Sequence, residues 1–109
     1  MNEAIYNRLL EVARAGEYIT YSDIAPLADL DMTLDADRHE IGRLLGEIST
    51  FEHQHGRPLL SAIVIHRDNN IPGHGFFVLA RELNLYQGTD DLLFFIGEFN
   101  RVRDYWRSH

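Results

Sequence analysis

Ala36-Asp37-Arg38-His39-Glu40-Ile41-Gly42-Arg43-Leu44-Leu45-Gly46-Glu47-Ile48-Ser49-Thr50-Phe51-Glu52-His53 is the stretch that decides the fold. Ile41, Leu44, Leu45 and Ile48 follow the i, i+3, i+4, i+7 spacing of one buried helical face. Burying each of them contributes about 1.5–3 kcal/mol. Asp37, Arg38, Arg43 and Glu47 lie on the opposite face. The reading is a long helix from about Ala36 to His53, ended by Gly56. Gly46 weakens it and marks a place of close packing.

Upstream, Ile5, Leu9 and Val12, with Leu10 beside them, predict an amphipathic helix over residues 3–14, stopped by Gly16. Glu17–Thr20 reads as a short extended piece. Ser22 is the expected N-cap of a brief second helix, with Pro26 in its first turn. Asp29–Asp35 reads as a loop. Downstream, Leu59–His66 reads as a buried strand and Arg67–Gly75 as a turn built on Asp68-Asn69-Asn70 and Pro72-Gly73. A fourth helix is expected over Phe76–Leu85, with Phe77, Leu79, Ala80 and Leu83 available for burial. Thr89 is expected to cap a last helix to about Arg107, buried along Leu92, Phe95, Phe99, Val102 and Trp106. Leu93, Phe94, Ile96 and Tyr105 widen that stripe beyond one contact face. The expected class is α+β and mostly helical: a winged-helix-like core over residues 1–85 with an additional C-terminal helix over 89–107, in one domain of 109 residues.

Composition narrows the chemistry. There is no Cys, which removes disulfides, thiol catalysis and thiolate metal sites. All ten basic residues are Arg, which removes Lys Schiff bases and a phosphate-loop Lys. No apolar run approaches the roughly 18–20 residues that cross a bilayer, and no secretory leader is visible, so a cytoplasmic protein without membrane contact is expected. The net charge of -7 opposes nucleic-acid binding. However, residues 1–34 hold six acids against two Arg, while residues 61–87 are balanced, which leaves room for a basic face elsewhere.

Thr20-Tyr21-Ser22-Asp23-Ile24-Ala25 resembles the Thr/Ser-Tyr-Gly-Glu/Asp-Ile/Leu-Ala segment of the alkylguanine-DNA alkyltransferases and alkyltransferase-like proteins. His39-Glu40-Ile41-Gly42-Arg43-Leu44-Leu45 is similar to that family's Arg-Ala-Val-Gly-x-Ala-Leu recognition helix. Leu59–Val64, a turn, and Gly73-His74-Gly75-Phe76-Phe77 stand where the family has its Pro-Cys-His-Arg-Val-Val strand and glycine-rich return. The resemblance covers about residues 1–85 and implies a winged-helix DNA-binding domain, with Tyr21 at a phosphate. Its departures matter as much. His39 replaces an Arg, and Leu59-Leu60-Ser61-Ala62 replaces Pro-Cys/Trp-His-Arg. Leu60 then stands at the alkyl-acceptor position, so alkyl transfer is excluded. Gly42–Ala80 also resembles small stand-alone bacterial proteins, a likeness that brings no mechanism.

The expected activity is binding without catalysis. Tyr21, Arg38, His39, Arg43, Arg57 and Arg67 are the candidate nucleic-acid contacts, since Arg suits guanine and phosphate. The competing reading makes Arg38, His39 and Arg43 a solvated face salted by Asp37, Glu40 and Glu47, and Tyr21 a packed ring with a wet hydroxyl. The partner is DNA or RNA, bound weakly and with strong salt dependence, or a protein associated with nucleic acid. Two alternatives differ in kind. One is a protein interaction or homodimerisation module using the aromatic last helix. The other is a small hydrolase with Ser61 or a water as nucleophile, His66 or His74 as base and Glu47 or Glu52 as orienting acid. No cofactor is expected. No metal is expected either: His53 and His55 at i, i+2 diverge, and no His-Glu-x-x-His pattern occurs.

Overall fold

A computed structural model describes the whole chain, Met1–His109. The α+β, mostly helical class holds. In chain order the elements are α1 (Glu3–Arg14), β1 (Ile19–Thr20), α2 (Tyr21–Ile24), a 3-10 turn (Ala25–Ala28), α3 (Asp35–Gln54), a second 3-10 turn (Leu60–Ile63), β2 (Val64–Ile65), α4 (His74–Glu82) and α5 (Asp91–Arg107). No helix is long and apolar enough to cross a membrane.

The periodic helices form as their patterns require. In α1, Ile5, Leu9, Val12 and Ala13 are buried, Asn2 caps the first turn by accepting from the Ile5 N–H, and Gly16 ends it at φ +71°. In α3, Ile41, Leu44, Leu45 and Ile48 are all buried, and Gly56 follows the helix at φ +72°. α2 starts earlier than expected. Thr20, not Ser22, is its cap, because Thr20 leaves β1 extended and its Oγ1 accepts from the Asp23 N–H at 3.2 Å.

Leu59–His66 departs most from expectation. Only Val64 and Ile65 form a strand, paired in parallel with β1 in the register Ile19 to Val64 and Thr20 to Ile65. Leu60–Ile63 coils into a 3-10 turn. β1 is two residues long and offers no further ladder partners. An apolar run of this length has no periodicity by which to separate a strand from any other fully buried path. The segment runs through the centre of the molecule, packed on α1, α3 and α5. Its backbone amides cannot reach water, so side chains satisfy them. The Leu59 N–H donates to Glu98 Oε2 at 2.8 Å and the Ser61 N–H to Ser49 Oγ at 3.0 Å.

α4 begins two residues before the expected start and stops at Glu82, where Asn84 takes a left-handed φ of +60°. Asp90, rather than Thr89, caps α5 by accepting from the Leu93 N–H at 3.0 Å. The buried face of α5 is Phe95, Glu98, Val102 and Trp106, with Phe99 half-buried. Leu92, expected in that stripe, is 55% exposed, because the face turns to place Glu98 over the Leu59 amide. Phe94 stacks on Tyr86 with ring centroids 4.5 Å apart, while Leu93 and Ile96 face outward. One hydrophobic cluster joins Ile5 to Trp106, so α5 shares the core of the preceding helices.

Candidate nucleic-acid interface

A cleft of about 180 Å³ opens where α2, the N-terminal half of α3, the end of β2 and the start of α4 meet. Its floor is Ile41, Leu45, Phe76 and Leu79. Gly42 and Gly46 stand one turn apart on α3 and line it, and a methyl group at either would meet only open space, so Gly46 borders a recess and is not the close contact expected of it. Each glycine costs the helix roughly 1 kcal/mol relative to Ala. In exchange, that side of the helix has no side chain to fill the cleft.

Tyr21, His66 and Gly73 build the wall. The rings of Tyr21 and His66 lie face to face at 4.5 Å with a 33° tilt. Tyr21 Oη accepts from the Gly73 N–H at 2.8 Å. A Cβ on Gly73 would sit 3.2 Å from both His66 Nε2 and Tyr21 Oη, so an added methyl would have to push the two rings back by a few tenths of an ångström. Burial pushes the Tyr21 phenol above its ordinary pKa, and the Gly73 N–H offsets part of that shift. Tyr21 is therefore a neutral hydroxyl at ordinary pH, with its proton available.

A second depression continues from the cleft over Tyr21, Met32, Arg38 and His66 to Arg67 and Asp68. Arg38 donates to the Met32 carbonyl at 3.1 Å and pairs with Asp35. Arg67 is 77% exposed and lies 4.0 Å from Asp23. Tyr21, Arg38 and Arg67 thus come together, and His66 joins them. Arg43 points elsewhere. Its guanidinium forks onto Glu40 at 2.7 and 2.8 Å and reaches Glu47 at 3.4 Å. That pairing holds the Glu40 carboxyl below its usual range, while Glu47 is lowered chiefly by the Met1 ammonium. His39 is exposed on α3 and lines neither depression.

Arg57 is at the other end of α3, about 25 Å along the axis from Arg38. There Glu52, fully buried, accepts from Tyr6 Oη at 2.5 Å and pairs with Arg57. Burial and then Glu52 push the Tyr6 phenol up to about 12. Arg57 also lies over the rings of Phe51 and Trp106, at 5.5 and 6.0 Å. Its guanidinium serves a buried ion pair and is not part of the cleft face.

The hydrolytic trio does not assemble. Ser61 lines the cleft with His66, but its Oγ lies 2.6 Å from Ser49 Oγ and bonds to no imidazole. His74 is exposed at the start of α4, outside the cleft lining. Leu60, at the acceptor position of the alkyltransferase resemblance, is fully buried in the core, and the residue that reaches the cleft is Ser61. No three His, Asp or Glu side chains gather as a metal-binding group.

Ser49 and Glu98 are buried polar residues that the sequence reading does not single out, and Glu52 enters it only as an orienting acid, not as the centre of a buried pair. Two of them carry a readable signal. Ser49 is four residues after Leu45, and Glu52 is four after Ile48, both on the apolar stripe of α3. A polar residue on such a stripe is buried and has a partner. Comparison with protein-family models, curated proteins and solved structures finds no match to this chain.

Proposed function

We propose that this protein is a non-enzymatic nucleic-acid-binding module whose contact face is the mouth of the α2–α3–α4 cleft. The observation that carries this reading is the convergence of Tyr21, His66, Arg38 and Arg67 around an apolar, ring-sized recess. Guanidinium groups at a rim suit phosphate, and paired aromatic faces suit an unstacked base. The recess favours a single strand or an unpaired position over regular duplex, whose bases are stacked away. Asp23, Asp35 and Asp68 stand among the cations and the net charge is -7, so binding is weak and steeply salt-dependent. Anisotropy titration with labelled single-stranded and duplex DNA and RNA at low salt tests it. Arg38→Ala combined with Arg67→Ala should weaken binding without unfolding the chain. No binding to any of these up to ~100 µM, weaker than ordinary non-specific affinity, overturns it.

A second reading rests on α5. Leu92, Leu93 and Ile96 are 55%, 68% and 46% exposed, beside an apolar groove formed by Tyr18, Ile65, Phe95 and Phe99. Such a patch marks a protein contact, with a second copy of the chain as the simplest occupant. Sedimentation at micromolar concentration decides the homodimer: a single species of 12.6 kDa rules it out.

A further inference from the structure

One serine on the cleft wall is paired with a second, buried serine behind it. Ser49 is fully buried on α3, and Ser61, 5% exposed, lines the cleft. Their Oγ atoms are 2.6 Å apart, and the Ser61 N–H donates to Ser49 Oγ at 3.0 Å. Each hydroxyl carries one proton, and only one proton fits between the two oxygens. Neither oxygen has a further hydrogen-bond partner in the protein, including the carbonyl one turn back from Ser49. Two arrangements follow. If Ser61 donates, the remaining proton belongs to Ser49 and is sealed in the core without an acceptor, which is unfavourable. If Ser49 donates, the remaining proton belongs to Ser61 and faces the cleft, where a ligand takes it.

Of the other three polar side chains on the cleft, Tyr21 and Arg38 agree with that sense, while the His66 imidazole can accept as well as donate. The phenol already accepts from Gly73 and has its own proton to give, and a guanidinium only donates. No carboxylate or side-chain amide lines the recess. Its volume of about 180 Å³ is slightly above the roughly 150 Å³ cavity that holds benzene. One planar ring fills it.

The geometry points to Ser61, oriented by Ser49, as the specificity-determining donor of this cleft, selecting planar heterocycles with a ring oxo group over rings that lack an oxygen acceptor. This rests on the cleft being a ring-binding site, as the proposed function requires. A site built to donate a hydrogen bond discriminates strongly, because a ligand without the acceptor leaves the donor unpaired.

The test is titration of the isotope-labelled full chain by NMR with 1-methyl-2-pyridone, whose only strong polar group is its oxo oxygen, and with toluene, which has none. Ser61→Ala should raise the pyridone Kd about tenfold, the effect of one lost hydrogen bond, and leave the toluene Kd unchanged or lower it, because the apolar ring no longer strands a donor. Ser61→Cys keeps the side-chain shape with a slightly larger atom and offers only a weak donor, so it should show the same split if the alanine variant folds poorly. Equal effects on the two ligands overturn the inference, and so does the absence of any shift of cleft resonances by either ring. Ser61-dependent pyridone binding without oligonucleotide binding sustains the donor and removes the nucleic-acid reading. Oligonucleotide binding with rings held regardless of Ser61 does the reverse.

Discussion

At the C-terminal end of α3, Glu52, Arg57 and Tyr6 close on one another. At its N-terminal end, Tyr21, Arg38 and His66 stand around an open recess. Both ends use an Arg, a Tyr and aromatic neighbours. At the closed end, both Glu52 oxygens have partners and Arg57 lies over two aromatic rings. At the open end, the Tyr21 hydroxyl accepts one bond, and a hydroxyl proton of the Ser49–Ser61 pair has no acceptor. The same residue types stabilise where their hydrogen bonds are saturated and are free to recognise where they are not.

The sharpest way to break this contrast is to remove the centre of the closed end. Glu52→Ala should destabilise the domain by about 3–5 kcal/mol, because Arg57 and Tyr6 lose a buried partner. Urea unfolding measures it, and a loss below about 1 kcal/mol would make the closed end no more structural than an exposed pair. At the open end, Gly73→Ala should cost only about 1 kcal/mol, through the crowding of Tyr21 and His66, yet weaken oligonucleotide binding several-fold. Unchanged binding would separate the Tyr21 wall from function.

The Tyr6 phenol sharpens the comparison through pH. It rises from 10.0 to about 12 in the folded protein. Below pH 10 both the folded and the unfolded chain keep the proton, and the stabilisation is fully present. Between 10 and 12 the unfolded chain releases the proton and the folded chain does not, so stability falls as pH rises. Tyr6→Phe should flatten part of that fall. The rest belongs to other raised phenols, Tyr21 and Tyr86 among them. An identical alkaline slope in the variant would contradict the assignment.

Arg38→Ala is expected to be the smallest effect on stability, within about 0.5 kcal/mol, since its pair with Asp35 is exposed. It should still weaken nucleic-acid binding and flatten its salt dependence. Arg43→Ala should be as mild on folding and leave binding unchanged, because Arg43 is engaged with Glu40 away from the cleft. If Arg43→Ala weakens binding as much as Arg38→Ala, the contact face runs along α3 instead of over the cleft.

Much of the frame was legible from the chain alone. The periodicity of Ile5, Leu9 and Val12, and of Ile41, Leu44, Leu45 and Ile48, placed α1 and α3 close to their observed limits, since residues one turn apart on a helix share a face whatever surrounds it. Tyr21, Arg38 and Arg67 were legible as candidates by residue type. Their company was not. Whether an Arg pairs at the rim of a recess, pairs away from it, or is committed to the core depends on its neighbours in space, and Arg38, Arg43 and Arg57 differ only in that respect. The Leu59–His66 run shows the same limit, because its apolar residues demanded burial without specifying a ladder, and the two-residue β1 left most of it to coil.

By itself, then, the sequence determined the long helices, the turns at Gly16 and Gly56, and the absence of thiol and amine chemistry. These depend on local spacing and on which side chains exist at all. Only the tertiary structure decided which polar groups are saturated. Tyr6 meets Glu52 across 46 residues, Leu59 meets Glu98 across 39, and Tyr21 meets Gly73 across 52. Hydrogen bonds of that span have no period to betray them, and they separate the closed end of α3 from the open one.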